Sequence, residues 1–284
     1  MIKLPRIPLG DGIEAVLEFL QDLLSPLTKA FSDVVELGIE AIVDGLLFLP
    51  PIILIVIFAL GAWKLADWKV AIFTFVGLLL IYDLELWDPT INTLALIIIA
   101  TAIAVAGGIP LGIIAGLSDG FQRFVTPILD FMQTMPAFVY LIPAIPFFGL
   151  GPVAAVFSTV IFAVPPAIRL TSLGIRQIDP ELIEASESFG STMMQKLIKV
   201  QMPIATPTIM AGVNQTIMLS LSMVVIAAMI GAGGLGGEVW RAIQRLRPGM
   251  GFEAGLGVVI LAMVLDRITQ NITASKRSKN ETAA

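Results

Sequence analysis

Between residues 12 and 45, apolar side chains recur at three- and four-residue intervals. Ile13, Val16, Leu17, Leu20, Leu23 and Leu24 fall at helical spacing, with Glu14, Glu18 and Asp22 on the other side. The pattern predicts an amphipathic helix. Ser25-Pro26 reads as a cap followed by proline at the first helical position, which restarts a second amphipathic stretch with Phe31, Val34, Val35, Ile42 and Val43 inside. Acids outnumber Lys3, Arg6 and Lys29 in this arm, whereas membrane-surface sensors are rich in Lys and Arg. The arm is therefore expected to pack along a bundle.

Amphipathic periodicity then gives way to long apolar runs at residues 46–63, 70–82, 91–117, about 127–149, 153–168, 207–230 and 254–265. At roughly 20 residues per crossing, they predict an all-α integral membrane protein with about seven transmembrane helices. The first two are short for a hydrocarbon core of ~30 Å. Asp130 and Asp266 lie close to span ends, and no ionisable residue sits at mid-span, which weakens a proton-coupled mechanism. No internal repeat supports an inverted-repeat secondary transporter.

Composition agrees and narrows the chemistry. Of 284 residues, 57% are apolar and 14% charged, against about 25% charged in a soluble domain. Cys and His are both absent, which removes disulfides, thiolate or imidazole metal sites and Ser-His triads. No metal site is expected. No Gly-Lys dipeptide occurs, so the phosphate-binding Walker loop is missing, and any ATP and Mg²⁺ must be held by a partner. A net charge of −5 gives no reason to expect nucleic acid. Residues 1–10 carry cations without a following uninterrupted apolar core, so no secretory signal is expected to open the chain.

Lys and Arg near span ends set orientation. Lys64, Lys69, Arg123, Arg169, Arg176, Lys196, Lys199, Arg267, Lys276, Arg277 and Lys279 fall on one side, and Lys3, Arg6, Lys29, Arg241, Arg245 and Arg247 on the other. This asymmetry favours an outer N-terminus and an inner C-terminus. The cation-free, acidic connection 83–89 suits an outer loop. Trp63, Trp68 and Trp87 fall at span ends and read as belt residues.

The longest polar interval, residues 171–201, lies on the inner side. Asp179-Pro180-Glu181 is a strong helix start, Leu182, Ala185, Phe189, Met193 and Leu197 supply an apolar stripe, and Gly190 interrupts it. Thr192 and Gln195 have the spacing of a capping box for a second short helix ending near Pro203. Glu184, Glu187, Lys196 and Lys199 flank the stripe, as suits a helix inserted into a partner's groove.

The order Glu184-Ala185-Ser186, Gly190, then Val200-Gln201-Met202-Pro203 resembles the E-A-A, three residues, G, nine residues, I-x-L-P loop of ABC importer permeases. Further stretches are similar to the glycine betaine/proline betaine ABC importer permeases: MQTMPAFVYLIP from Met132, IRLT from Ile168, NQTIM from Asn214, AMIGAGGLG from Ala228 and LDRITQ from Leu265. The similarity runs from about residue 86 to 270, with Ser186 and Arg247-Pro248 as local departures.

The resemblance implies an N-terminal arm (1–45), two accessory transmembrane helices (46–86), a type I permease core (87–272) with a coupling loop (173–203), and a cytoplasmic tail (273–284). It implies a prokaryotic cytoplasmic-membrane permease that is not the site of hydrolysis, working as a homodimer with an ABC ATPase subunit and an extracellular or periplasmic binding protein. Glu184, Ala185, Ser186, Glu187, Phe189, Gly190 and Pro203 would transmit ATPase closure to the spans.

Arg241, Arg245 and Arg247 read either as binding-protein contacts or as headgroup anchors. Gln133, Thr134, Asn214, Gln215, Thr216, Ser220 and Ser222 are the candidate pathway lining, each with interhelical packing as the alternative. A zwitterionic quaternary amine needs no counter-charge in the pore. Choline, carnitine or another small solute remains an alternative cargo, and an ATP-independent secondary transporter an alternative class. The glycine run at 231–237 reads as a hinge or tight packing element rather than a phosphate loop.

Overall fold

Four apolar helices set the architecture: α4 (Trp87–Leu117), α7 (Pro152–Arg176), α10 (Met202–Ala227) and α12 (Pro248–Glu281). The computed structural model describes the backbone of residues 9–281 and the side chains of residues 10–271, so Lys3, Arg6, Lys276, Arg277 and Lys279 of the orientation count lie outside the described side chains. Among the described residues there are helices and no strands.

In lipid, helices gain nothing by hiding apolar surface from their neighbours, so they associate where backbones approach closely. Gly108, Gly112 and Gly116 repeat every fourth residue on α4 and face Ala167, Thr171 and Ile175, which repeat every fourth residue on α7. A Cβ on Gly112 would stand 2.6 Å from the Thr171 Cβ and 2.7 Å from the Ile168 carbonyl oxygen. The other face of α7 meets α10 in the same way, with Gly174 against Ala205 and Gly212 against the Pro166 carbonyl. These contacts form a three-helix centre.

α1 (Leu9–Leu47) is one continuous helix, about 58 Å long at 1.5 Å per residue. The expected restart at Ser25-Pro26 does not occur: Pro26 lies inside the helix, and the Thr28 hydroxyl donates to the Ser25 carbonyl at 3.1 Å. Its bundle face carries Phe31, Val35, Ile39 and Val43, with Phe31 against Phe148 and Phe157. Ile13, Val16, Leu23 and Val34, expected inside, are exposed. The last three share a second apolar face with Leu27 and Leu37, and the acids occupy a third, so the helix has three faces where a two-sided pattern was anticipated.

After Leu47 the chain turns by 101° into α2 (Pro51–Leu65), which pairs with α3 (Trp68–Asp83). At 16 residues, α3 is only about 24 Å long, short of the ~30 Å core. The expected single span at 127–149 is also bent: α5 (Asp119–Thr134) meets the segment Ala137–Phe148, a 3-10 turn leading into α6 (Leu141–Phe148), at 110° across a break at Met135-Pro136. Met135 takes extended dihedrals (φ −72°, ψ 135°), as a residue before proline should. Where about seven spans were expected, four helices among the described residues are long and apolar enough to cross a membrane, or up to six crossings if each bent pair counts as one.

Trp87 is also reassigned. It is 5% exposed, packs with Ile91 and Ile260 and meets Tyr82 edge to face, so it belongs to the core rather than a lipid-facing belt. Trp63 and Trp68 are exposed, as belt residues are.

Candidate functional site

The connection from α7 to α10 is built from local signals. Asp179 caps α8 (Pro180–Ser188), its carboxylate accepting from the Glu181 N–H at 3.0 Å. Gly190 ends that turn at φ +76°, a left-handed conformation that costs residues with a Cβ roughly 1–2 kcal/mol. Thr192 and Gln195 form the reciprocal capping box of α9 (Met193–Lys196): Thr192 N–H donates to Gln195 Oε1 at 2.9 Å, and Gln195 N–H to Thr192 Oγ1 at 3.3 Å. Lys196 is ion-paired with Glu187, tying α9 to α8.

The second short helix does not end near Pro203. It widens into a π-helical turn over Leu197–Gln201 and runs on as α10, so Pro203 lies inside a continuous helix, directly after the turn where the regular ladder is already interrupted. α9 and α10 thus form one continuous helical segment. The loop carries an unpartnered apolar surface: Phe189 is 93% exposed, and Leu182, Met193, Met194 and Ile198 are also exposed. The hydroxyls of α8 bond only within that helix, Ser186 Oγ donating to the Ile183 carbonyl at 2.8 Å and Ser188 Oγ to the Glu184 carbonyl at 2.9 Å, and the Glu184 side chain is exposed.

At the base of the loop Arg176 clamps two elements. Its guanidinium donates to the Ala115 carbonyl at 2.9 and 3.2 Å, closing the end of α4, and to Asp119 at 2.6 Å. That hydrogen bond, together with the Arg176 charge, holds the Asp119 carboxyl below the ordinary carboxylate range. Arg169 pairs with Asp130 in the same groove between α5 and α7. Neither clamp was visible from motif spacing, because its partners lie 57 and 39 residues apart.

The candidate pathway residues divide. Thr216 and Ser220 are buried in the bundle, with Thr216 Oγ1 donating to the Gly212 carbonyl. Gln215 and Ser222 lie on an exposed face of α10, and Gln133 and Thr134 are exposed at the end of α5. Asn214 donates to the Asp266 carboxylate at 3.1 Å, and Gln270 donates to both of its oxygens at 2.7 and 2.8 Å. Asp266 thereby joins α10 to α12 through amides.

On the far side, the glycine run makes the turn into α11 (Gly234–Gln244). Thr93 Oγ1 accepts from the Leu235 N–H at 2.8 Å, and a Cβ on Gly234 would stand 2.4 Å from that same oxygen. Gly234 also holds φ +65°. Gly234→Ala is expected to lose about 2–4 kcal/mol from backbone strain and a broken buried hydrogen bond. Thermal unfolding in detergent checks it, with Gly237→Ala, where a Cβ meets nothing within 4 Å, as the control.

Arg241 is held by Glu238 through two contacts of 2.8 and 2.9 Å, while Arg245 and Arg247 are exposed on either side of Leu246. Leu246 is itself exposed and left-handed at φ +51°. The three Arg residues thus share one end of the molecule, opposite the α8–α9 loop. Among the described residues no His, Cys, Asp and Glu group could hold a metal ion.

Residues 108–278 match the model of the binding-protein-dependent transport system inner membrane component. The chain is 51% identical over 279 residues to the glycine betaine transport system permease protein OpuAB of Bacillus subtilis, covering 98% of this chain and 99% of that one. It is 47% identical to the glycine betaine/carnitine transport permease protein GbuB of Listeria monocytogenes, over 99% and 100% of the two chains. It is 44% identical to the glycine betaine/proline betaine transport system permease protein ProW of Escherichia coli, over 96% of this chain and 77% of that one. An inward-facing structure of the MetNI methionine ABC transporter contains a chain with the same fold, at TM-score 0.61 and 23% identity over 65% of this chain and 93% of that one.

Proposed function

The chain belongs to the family of binding-protein-dependent transport system inner membrane components and is a multi-pass permease subunit of an ATP-driven ABC importer, and we propose that its cargo is a betaine-type compatible solute such as glycine betaine or proline betaine. The observation that carries this cargo is the 51% identity, sustained over nearly the whole of both chains, to a glycine betaine permease. The absence of ionisable residues from mid-span supports it, because a zwitterion crosses without needing a fixed counter-charge. Carnitine is the second reading, favoured by the name of the Listeria relative.

In this reading the exposed apolar surface around Phe189 docks on the ATPase, which holds ATP and Mg²⁺ and performs the hydrolysis. The N-terminus is outside and the C-terminus inside. Helix alternation supports a common side for the α8–α9 loop, the start of α3 and the end of α12, and most Lys and Arg lie on that side. Two copies of the chain frame the pathway, with Gln133, Thr134, Gln215 and Ser222 as lining and Asn214 as a strut. Arg245 and Arg247, flanking Leu246, meet the binding protein.

Uptake into proteoliposomes carrying the assembled importer tests the proposal. Labelled glycine betaine is expected to accumulate only with the ATPase present and ATP on its side of the membrane. A tenfold excess of unlabelled proline betaine should compete and choline should not. Uptake that persists without the ATPase overturns the coupling scheme, and a preference for choline or carnitine overturns the cargo.

A further inference from the structure

A cavity of about 570 Å³ opens between the first turns of α3 and the inner half of α12. Its polar wall contains Lys69, Arg267, Gln270 and Asn271, and its apolar wall Val70, Phe73 and Met263. The two helices are zoned alike. Phe73 lies four residues, about 6 Å, deeper along α3 than Lys69, and Met263 lies the same distance deeper along α12 than Arg267. Cationic groups thus stand at the mouth on the coupling-loop side, above an apolar floor that continues into the lipid-facing surface at Ile72, Val76 and Val259.

The mouth carries two cations, Lys69 and Arg267, against one carboxylate, Asp67, and the Lys69 ammonium stands 5.9 Å over the Trp68 ring. Gln270 is engaged with Asp266, and the Asn271 amide donates to the Arg267 carbonyl at 2.9 Å. Asp67, the carboxylate in the lining, accepts from the Val70 N–H at 2.9 Å and caps α3. Among the described residues, neither Lys69 nor Arg267 forms an ion pair. Two cations beside an apolar floor fit a ligand with a phosphate at one end and hydrocarbon at the other. Depth points the same way: Trp63 and Trp68, exposed at the α2–α3 turn, have the interfacial character that marks headgroup level.

We propose that this cavity is a site for an anionic phospholipid, with Lys69 and Arg267 binding the headgroup phosphate and Val70, Phe73 and Met263 receiving the first part of an acyl chain. Basic pockets between helices on the cytoplasmic side are a general means of selecting anionic lipids. The bound lipid bridges the accessory hairpin to α12, which carries Asp266 and through it Asn214 of α10. The site does not depend on which solute is carried.

The assembled importer, delipidated in a neutral detergent, provides the test. Dioleoyl phosphatidylglycerol should remain bound in native mass spectra and raise the melting temperature at concentrations about tenfold below those needed of dioleoyl phosphatidylcholine. K69Q/R267Q should abolish that preference, K69R/R267K should retain it, and R123Q, removing a charge elsewhere on the same side, should leave it unchanged. If the double variant does not assemble, K69Q and R267Q singly should each lose about threefold of the preference. Equal effects of the two lipids, a preference that survives K69Q/R267Q, or stabilisation by inorganic phosphate equal to that of phosphatidylglycerol would overturn the proposal.

Discussion

Gly107→Ala and Gly112→Ala are expected to move stability in opposite directions, although the same methyl group is added to the same helix five residues apart. Alanine in a helix interior is favoured over glycine by roughly 1 kcal/mol. At Gly107 a Cβ meets nothing within 4 Å, so that gain should appear almost undiminished. At Gly112 the added Cβ stands 2.6 Å from the Thr171 Cβ and 2.7 Å from the Ile168 carbonyl oxygen, and the second of these is backbone that cannot rotate away. Relief requires α4 and α7 to separate, which also loosens Gly108 against Ala167 and Gly116 against Ile175. Overpacking of this kind costs about 1–3 kcal/mol or more, so the net change is a loss despite better helix propensity. Gly112→Leu should prevent assembly of the permease altogether. Melting curves of the detergent-purified importer, with ATPase retention on a sizing column, read both effects. Equal shifts for the two alanine variants would remove the α4–α7 contact from its central place in the fold.

The same stripe shows where a sequence reading falls short. Glycines at 108, 112 and 116 are visible as small residues at four-residue intervals, but within a long apolar run they contribute only to hydropathy. Their role depends on Ala167, Thr171 and Ile175, more than fifty residues away. The bend at Met135-Pro136 was obscured for a similar reason. A window covering 127–149 averages two short apolar segments into one span, even though proline biases its predecessor towards extended backbone. Pro26 shows the opposite case: its spacing predicts a first-turn residue, yet it lies within one continuous helix. Trp87 was mistaken for a belt residue because position at a span end does not reveal that α2, α3 and α12 close over it.

The α8–α9 loop is legible in the sequence because its determinants are local. Asp179 needs only the Glu181 N–H, Thr192 only Gln195, and the turn only a glycine at 190. Each signal lies within a few residues of its partner. The Arg176–Asp119 and Asn214–Asp266 links use equally ordinary side chains, yet topology alone brings them together.

That local determination allows a sharp separation of folding from coupling at Phe189. The ring is 93% exposed, so Phe189→Ala removes almost no contact within the chain and should leave the melting temperature of the permease within the small range of ordinary surface changes, about 0.5 kcal/mol. A buried aromatic anchor in a partner groove is commonly worth 2 kcal/mol or more, or about 30-fold in affinity. Loss of the ring is therefore expected to weaken ATPase association by at least about tenfold and to reduce solute-stimulated hydrolysis in parallel. Gly190→Val provides the complementary case. Its Cβ meets nothing within 4 Å, so the effect comes from the φ of +76° rather than from a clash, and the loop should rearrange while the spans stay folded. Because α9 passes through the π-helical turn directly into α10, a misdirected loop is expected to misdirect α10, whose exposed face with Gln215 and Ser222 is the proposed pathway lining. Gly190→Val should thus retain part of its ATPase binding but lose stimulation, whereas Phe189→Ala should lose both together. Equilibrium binding of the ATPase subunit measured beside solute-stimulated hydrolysis distinguishes them. Wild-type binding by Phe189→Ala would move the docking surface away from the α8–α9 loop.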